Sequence, residues 1–408
     1  MLTQAVQMSR KPLPLTAFAL GLLLQGVRSD AQDKRAQYPS FLSRSYFDVG
    51  VGYIDYPFTG RQLEPGFQAE SPRVPHAAAR LALLGYRFNE HLAAQLNYVR
   101  PVEWVSYTNV NGVPAKRSVW TNLAGVTLRA TAPLAGRLSV DGEGGLGIVT
   151  RHGFDADTVP VVKDANYWTA LLGGGLRYRL NRSWDFRASA IYAPSNSGAR
   201  QPHTLMLAGG FSYNLRPLPE ERVRKSSQSG FAFPRNLVQV GYASDASGFG
   251  VNDFVSKGAV PIFWGGIAQV RQGVVVHYHR NLFHTRRLFS LDLGASVSHW
   301  RSRRDNAAFY TASLFPVFRL TPLRLGSADV YLNYSLAGPT AISRSSIDGQ
   351  DTGRRFTFQD FMGVGVFAGK ERHVDAEVRI GHYSNGNLFP QNAGLSIPLT
   401  FNLGYTFH

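Results

Sequence analysis

From Tyr46 onward, apolar and polar residues alternate with a period of two. Phe47, Val49, Val51 and Tyr53 take one side, and Asp48, Gly50 and Gly52 the other. The alternation returns at Leu92, Ala94, Leu96 and Tyr98, and at Trp184, Phe186, Ala188, Ala190 and Tyr192. Successive side chains of a strand point to opposite faces, so each run predicts a strand with one apolar face. The links between runs alternate in length. Residues 85–92 and 178–184 are tight turns, whereas 102–116, 151–163 and 193–202 are longer and polar. Short turns on one side and long loops on the other predict a transmembrane β-barrel. About eight strands fit by residue 215, the last carried by Leu205, Leu207, Phe211, Tyr213 and Leu215.

Residues 216–235 break the pattern with Pro, Ser and charge. Such a stretch reads as a linker, and after an even number of strands it lies in the periplasm. The alternation then resumes over 236–246, 269–282, 287–301, 307–320, 327–337, 354–369, 372–384 and 396–407. The fold class expected is therefore all-β: an antiparallel transmembrane barrel, most simply two tandem eight-stranded barrels over 32–215 and 236–408. One barrel of about sixteen strands has the same topology. The length of the 216–235 link, against the other same-side turns, favours two.

Composition narrows the setting. The chain has 408 residues and no Cys, which excludes disulfides, thiol catalysis and Cys metal sites. Gly 41, Tyr 18 and Phe 26 are high, and the mean hydropathy is only −0.15. Residues 1–31 read as a signal peptide: Arg10 and Lys11, then an apolar segment from Leu15 to Val27, then Ser29-Asp30-Ala31. Lys+Arg 43 against Asp+Glu 27 gives +16, which calls for an anionic partner. A phosphate-rich membrane surface suits an exported barrel better than nucleic acid does.

Two motifs give way to simpler accounts. Gly142-Glu143-Gly144-Gly145-Leu146-Gly147 has dinucleotide-binding spacing but sits inside a predicted strand with no helix after it. Small residues in a narrow barrel explain it. His277 and His279 share a strand face opposite Val274, Val276 and Tyr278, so they point into a lumen, where polar residues are ordinary. No metal or cofactor is expected.

The chemistry gathers near the end, in Ala376-Glu377-Val378-Arg379-Ile380-Gly381-His382-Tyr383-Ser384-Asn385. Ala376, Val378 and Ile380 form an apolar stripe, and His382 and Ser384 continue it on the same face. An imidazole beside a hydroxyl can activate it as a nucleophile, and Asn385 could donate to a developing oxyanion. If the stripe faces lipid, the pair lies at the outer-leaflet edge, where a membrane lipid could be attacked. Arg301, Arg303, Arg304, Arg354 and Arg355, with Arg344, fall in the links on that side. They suit either a solvated surface or a cradle for lipid phosphates.

At these residues the chain resembles the outer-membrane lipid A 3-O-deacylases of the PagL type. The resemblance is carried by Gly338-Pro339, by Phe356-Thr357-Phe358-Gln359-Asp360-Phe361-Met362-Gly363-Val364-Gly365, by Arg379-Ile380-Gly381-His382-Tyr383-Ser384-Asn385 and by Asn392-Ala393-Gly394. It is strongest over 338–394 and weaker over 236–408. It implies an eight-stranded barrel in which a Ser nucleophile and a His base remove the 3-O-linked acyl chain of lipid A. Those roles fall on Ser384 and His382, and the oxyanion role falls on Asn385. The family Glu is replaced by Ser396, which can orient an imidazole but cannot stabilise imidazolium as a carboxylate does. Residues 46–215 resemble only generic small outer-membrane barrels of the OmpA-like kind.

A substitute acid can be sought on the preceding strand. A hairpin centred on Glu371 puts Asp360 opposite His382 on the same face, within reach of it. A slip of one residue would turn Asp360 away, and a polar residue at a strand rim is the simpler account. The expectation is therefore an outer-membrane esterase of a Gram-negative bacterium. Lipopolysaccharide and outer-membrane lipids are its partners, and the barrel-assembly machinery inserts it. The alternatives are a structural or lipopolysaccharide-binding barrel without catalysis, and a porin.

Overall fold

The computed structural model describes residues 34–257 and 264–407. The signal peptide expected over 1–31 lies outside the described residues. Eight long strands form the first barrel: β1 (Ser45–Asp55), β2 (Ala77–Arg87), β3 (Leu92–Pro101), β4 (Arg117–Ala135), β5 (Leu138–His152), β6 (Ala165–Arg179), β7 (Trp184–Ala193) and β8 (Thr204–Asn214). Each pairs antiparallel with its sequence neighbours, and β1 closes the ring on β8 through pairs such as Val49↔Phe211. The second barrel runs β9 (Asn236–Ser244), β10 (Ala268–His284), β11 (Phe289–Ser302), β12 (Ala308–Leu325), β13 (Ala328–Ile342), β14 (Phe356–Ala368), β15 (Val374–Ser384) and β16 (Leu395–Phe407). It closes on itself by β9 against β16. Two eight-stranded barrels are present, rather than one of sixteen strands.

The barrels are apolar outside and polar inside. On β4, Val126 is 52% exposed and Thr127 1%. In the first lumen Arg80, Arg129 and Arg187 interleave with Asp48, Asp141 and Glu143; Arg187 Nη2 lies 2.9 Å from Asp141 Oδ2. The second holds Arg319 against Asp292, and Arg379 against Glu377. Eight strands leave an interior just wide enough for side chains, and these side chains fill it. The porin reading needs a wide lumen, and this architecture does not provide one.

Two glycines of the β5 run, Gly145 and Gly147, are explained by close approach. A Cβ on Gly145 would meet the Val126 carbonyl oxygen at 2.1 Å, and one on Gly147 would meet the Leu171 side chain at 2.7 Å. His277 and His279 are buried in the second lumen beside Arg379 and Arg319.

Local outcomes differ from expectation in three places. The linker carries a helix, α1 (Glu220–Ser227), with Glu220 and Glu221 in its first turn and Lys225 paired to Glu221 one turn on. β12 continues to Leu325 past Pro322 because a register shift between Leu320 and Leu323 absorbs the proline. β13 continues to Ile342 past Gly338-Pro339 because a bulge between Ser335 and Gly338 carries it on.

Candidate functional site

β15 presents two different faces. Inward lie Glu377 and Arg379, tied to Gln239 and His277. Outward lie Val378, Ile380, His382 and Ser384. This stripe is lipid-exposed at Val378, 37% exposed, and covered at His382, 1% exposed. The lipid-facing stripe that the sequence set as a condition is open at Val378 and closed over at His382. The outer loop between β9 and β10 folds over it. That loop contains α2 (Gly250–Lys257) and Trp264, whose ring lies 4.7 Å from the imidazole. Asn252 fixes the indole: Trp264 Nε1 donates to Asn252 Oδ1 at 2.8 Å, and Asn252 Nδ2 donates to the Ile397 carbonyl.

His382 is flanked on both sides by candidates from the sequence. On β14, Asp360 is its direct cross-strand partner, with Oδ2 at 3.5 Å from His382 Nε2. Asp360 Oδ1 accepts the backbone N–H of Ala337. Ala337 sits at the β13 bulge with φ 53°, a left-handed conformation that a Cβ disfavours. Bulges often re-aim groups beside active sites, and this one turns an N–H onto the carboxylate. On β16, Ser396 is the other direct partner of His382, but its hydroxyl donates to the Gly266 carbonyl at 3.4 Å. Ser384 ends β15 opposite Phe358 and is half-buried.

Asn385 is a correction. Its amide donates both to the Thr352 carbonyl at 3.0 Å and to the Gln391 carbonyl at 2.6 Å, and its backbone N–H donates to Asn392 Oδ1. With its amide hydrogens committed, the side chain acts as a clasp between two outer loops and not as a free oxyanion donor.

The arginines hold separate partners. Arg301 donates to the Asn306 carbonyl at 3.4 Å, Arg303 faces Gln269 and Asp245, and Arg304 lies beside Asp305. Arg354 lies over the Phe389 ring and Arg355 is exposed on the same loop. Among the described residues, no group of His, Asp and Glu has the makings of a metal site.

Sequence reasoning missed Trp264, Asn252 and Ala337. The first two lie in a loop without periodicity. The third had a signal in the Gly338-Pro339 that follows it.

Residues 271–406 match the family described as "Lipid A 3-O-deacylase (PagL)", and residues 19–214 match "Outer membrane protein beta-barrel domain". The chain is an outer-membrane β-barrel protein. Its C-terminal barrel resembles the lipid A deacylases and its N-terminal barrel the general outer-membrane domain. Among solved structures it is similar to the outer membrane enzyme PagL, with 18% identity and TM-score 0.29, covering 42% of this chain and 99% of that one. It is similar also to Neisserial surface protein A, with 13% identity and TM-score 0.28, covering 42% and 97%. OprG from Pseudomonas aeruginosa matches with 16% identity and TM-score 0.27, covering 42% and 96%. A search of curated proteins finds no match.

Proposed function

We propose that the C-terminal barrel is an esterase that removes the 3-O-linked acyl chain of lipid A. Ser384 is the nucleophile and His382 the general base. Asp360 replaces the family Glu, orienting the imidazole and stabilising its cation. The observation that carries this reading is the Asp360–His382 pair, directly opposed at the outer end of β15 with Ser384 two residues on. A contact of 3.5 Å suits an unloaded site, where catalytic hydrogen bonds are often long.

In the reaction Ser384 Oγ attacks the ester carbonyl carbon while His382 takes its proton. The tetrahedral intermediate collapses, and His382 returns the proton to the departing sugar oxygen. Water, activated by the same imidazole, then releases the fatty acid from Ser384. Exposed Arg303, Arg304, Arg354 and Arg355, with half-buried Arg301, suit the anionic headgroup of lipopolysaccharide.

A non-catalytic, lipopolysaccharide-binding barrel is the second reading. It is favoured by the committed Asn385 amide and by the indole over His382. Mass spectrometry of lipid A from cells with and without the protein decides between them. The esterase reading expects loss of one 3-O-acyl chain, abolished by Ser384→Ala and by His382→Ala while the heat-modifiable barrel still forms. Unchanged lipid A under the wild-type protein would sink it.

A further inference from the structure

The loop that follows the proposed nucleophile, residues 385–394, is held from two sides. Within its own barrel it is knit by Asn385 to Thr352, and by Asn392 to Asn387 at 2.7 Å. Its other side is held by the first barrel. The Leu388 carbonyl accepts from Thr150 Oγ1 at 3.0 Å and from Asn166 Nδ2 at 2.8 Å. The Gly386 carbonyl accepts the Tyr98 hydroxyl at 3.2 Å, and Gln391 Nε2 donates to Asp164 Oδ2 at 2.8 Å.

These contacts come from three different strands of the first barrel and from the loop before β6. Tyr98, Thr150 and Asn166 all occupy outward positions, in phase with Leu96, Leu146 and Trp168. Those neighbours are 44%, 62% and 71% exposed, as lipid-facing residues should be. An outward Thr or Asn with nothing to bond would be costly at such a surface. Here Thr150 is 1% exposed and both polar groups are spent on one carbonyl of the second barrel. Asn166 also donates to Thr150 Oγ1 at 2.8 Å, so the two act as one unit.

We propose that the N-terminal barrel is the positioning partner of the site: Thr150, Asn166 and Tyr98 grip the carbonyls of Leu388 and Gly386 and so fix the loop that begins at Ser384. The inference rests on the esterase reading above. None of the three touches the reacting atoms; they are positioning residues, acting through the backbone two to four residues beyond the nucleophile. Small displacements of a nucleophile are expensive in rate and cheap in binding.

The test uses the full chain in detergent micelles, with lipid A as substrate. The double variant Thr150→Val with Asn166→Leu should lower kcat about ten- to a hundredfold while leaving KM near wild type. Hydrogen exchange over residues 386–391 should quicken in the same variant. Thr150→Ser, which keeps the hydroxyl, should restore both readouts when combined with native Asn166. A double variant with unchanged kcat overturns the proposal, and so does a fall in kcat without faster exchange in the loop. A wild-type chain with no deacylase activity fails the esterase reading and this proposal with it. An active wild type whose double variant keeps its kcat fails this proposal alone.

Discussion

Asp360 faces His382 across the β14–β15 ladder, with its carboxylate held from behind by the N–H of Ala337. On the proposed reading, an ionised Asp360 supplies beside the imidazole the negative charge that Ser396 cannot. Asp360→Asn keeps the shape and removes the charge. Its deacylation rate should fall by about two to four orders of magnitude, read from a time course of lipid A mass spectra. Ser396 stands on the opposite flank of the same imidazole, so Ser396→Glu in the Asp360→Asn background should recover part of the loss. Full activity in Asp360→Asn would leave a Ser–His dyad.

Trp264 covers the imidazole from outside, and Asn252 anchors the indole. Removing the ring should uncover the base without touching the strands. In Trp264→Ala, carbethoxylation of His382, located by peptide mass spectrometry, should speed up several-fold. An unchanged rate would mean that other groups exclude the reagent.

The alternation of β14 and β15 made the Asp360–His382 register legible in the sequence, because a period of two and one tight turn leave few choices. The alternation did not by itself separate the two barrels; the length of the 216–235 link did. It was blind to what covers the site. Trp264 and Asn252, the latter on the short α2, lie between β9 and β10, where tertiary contacts with β15 and β16 set the course of the chain and the strand period does not reach. Asn385 was misjudged for a related reason. Its amide has donors suited to an oxyanion, but the carbonyls of Thr352 and Gln391 compete for them, and those come from chain brought near only by folding. Ala337 shows the limit from the other side: a proline-containing stretch reads as a strand end, and a bulge lets the strand continue.

The second lumen predicts a stability effect. Arg379 lies 2.6 Å from Glu377 and 3.0 Å from His277, and Glu377 shares Gln239 and Tyr331 with Asp375. Arg379→Met leaves Glu377 without its ion-pair partner in a closed interior. The barrel should lose about 3–5 kcal/mol against urea in lipid vesicles. Arg379→Met combined with Glu377→Gln should recover much of that, because the uncompensated charge is gone. Equal losses in single and double variants would show that packing, and not charge, is what Arg379 supplies.

Asp164 makes the grip of the first barrel on the site loop depend on pH. Burial alone would raise its carboxyl. The hydrogen bonds from the His152 ring, at 2.9 Å, and from the Gly153 N–H outweigh this and hold it below the ordinary carboxylate range. A carboxylate depressed in the folded state contributes stability that is fully present above its unfolded pKa, near 4, and is lost as the pH falls through the lower folded value. The Asp164–Gln391 tie should therefore loosen as the pH falls below about 4. Hydrogen exchange at residues 386–391, corrected for its intrinsic pH dependence, should show protection falling over that acid range in the wild-type chain. In Asp164→Asn the amide still bonds but does not titrate, so the acid-dependent part of the loss should vanish. If both chains lose protection along the same curve, another group controls the loop.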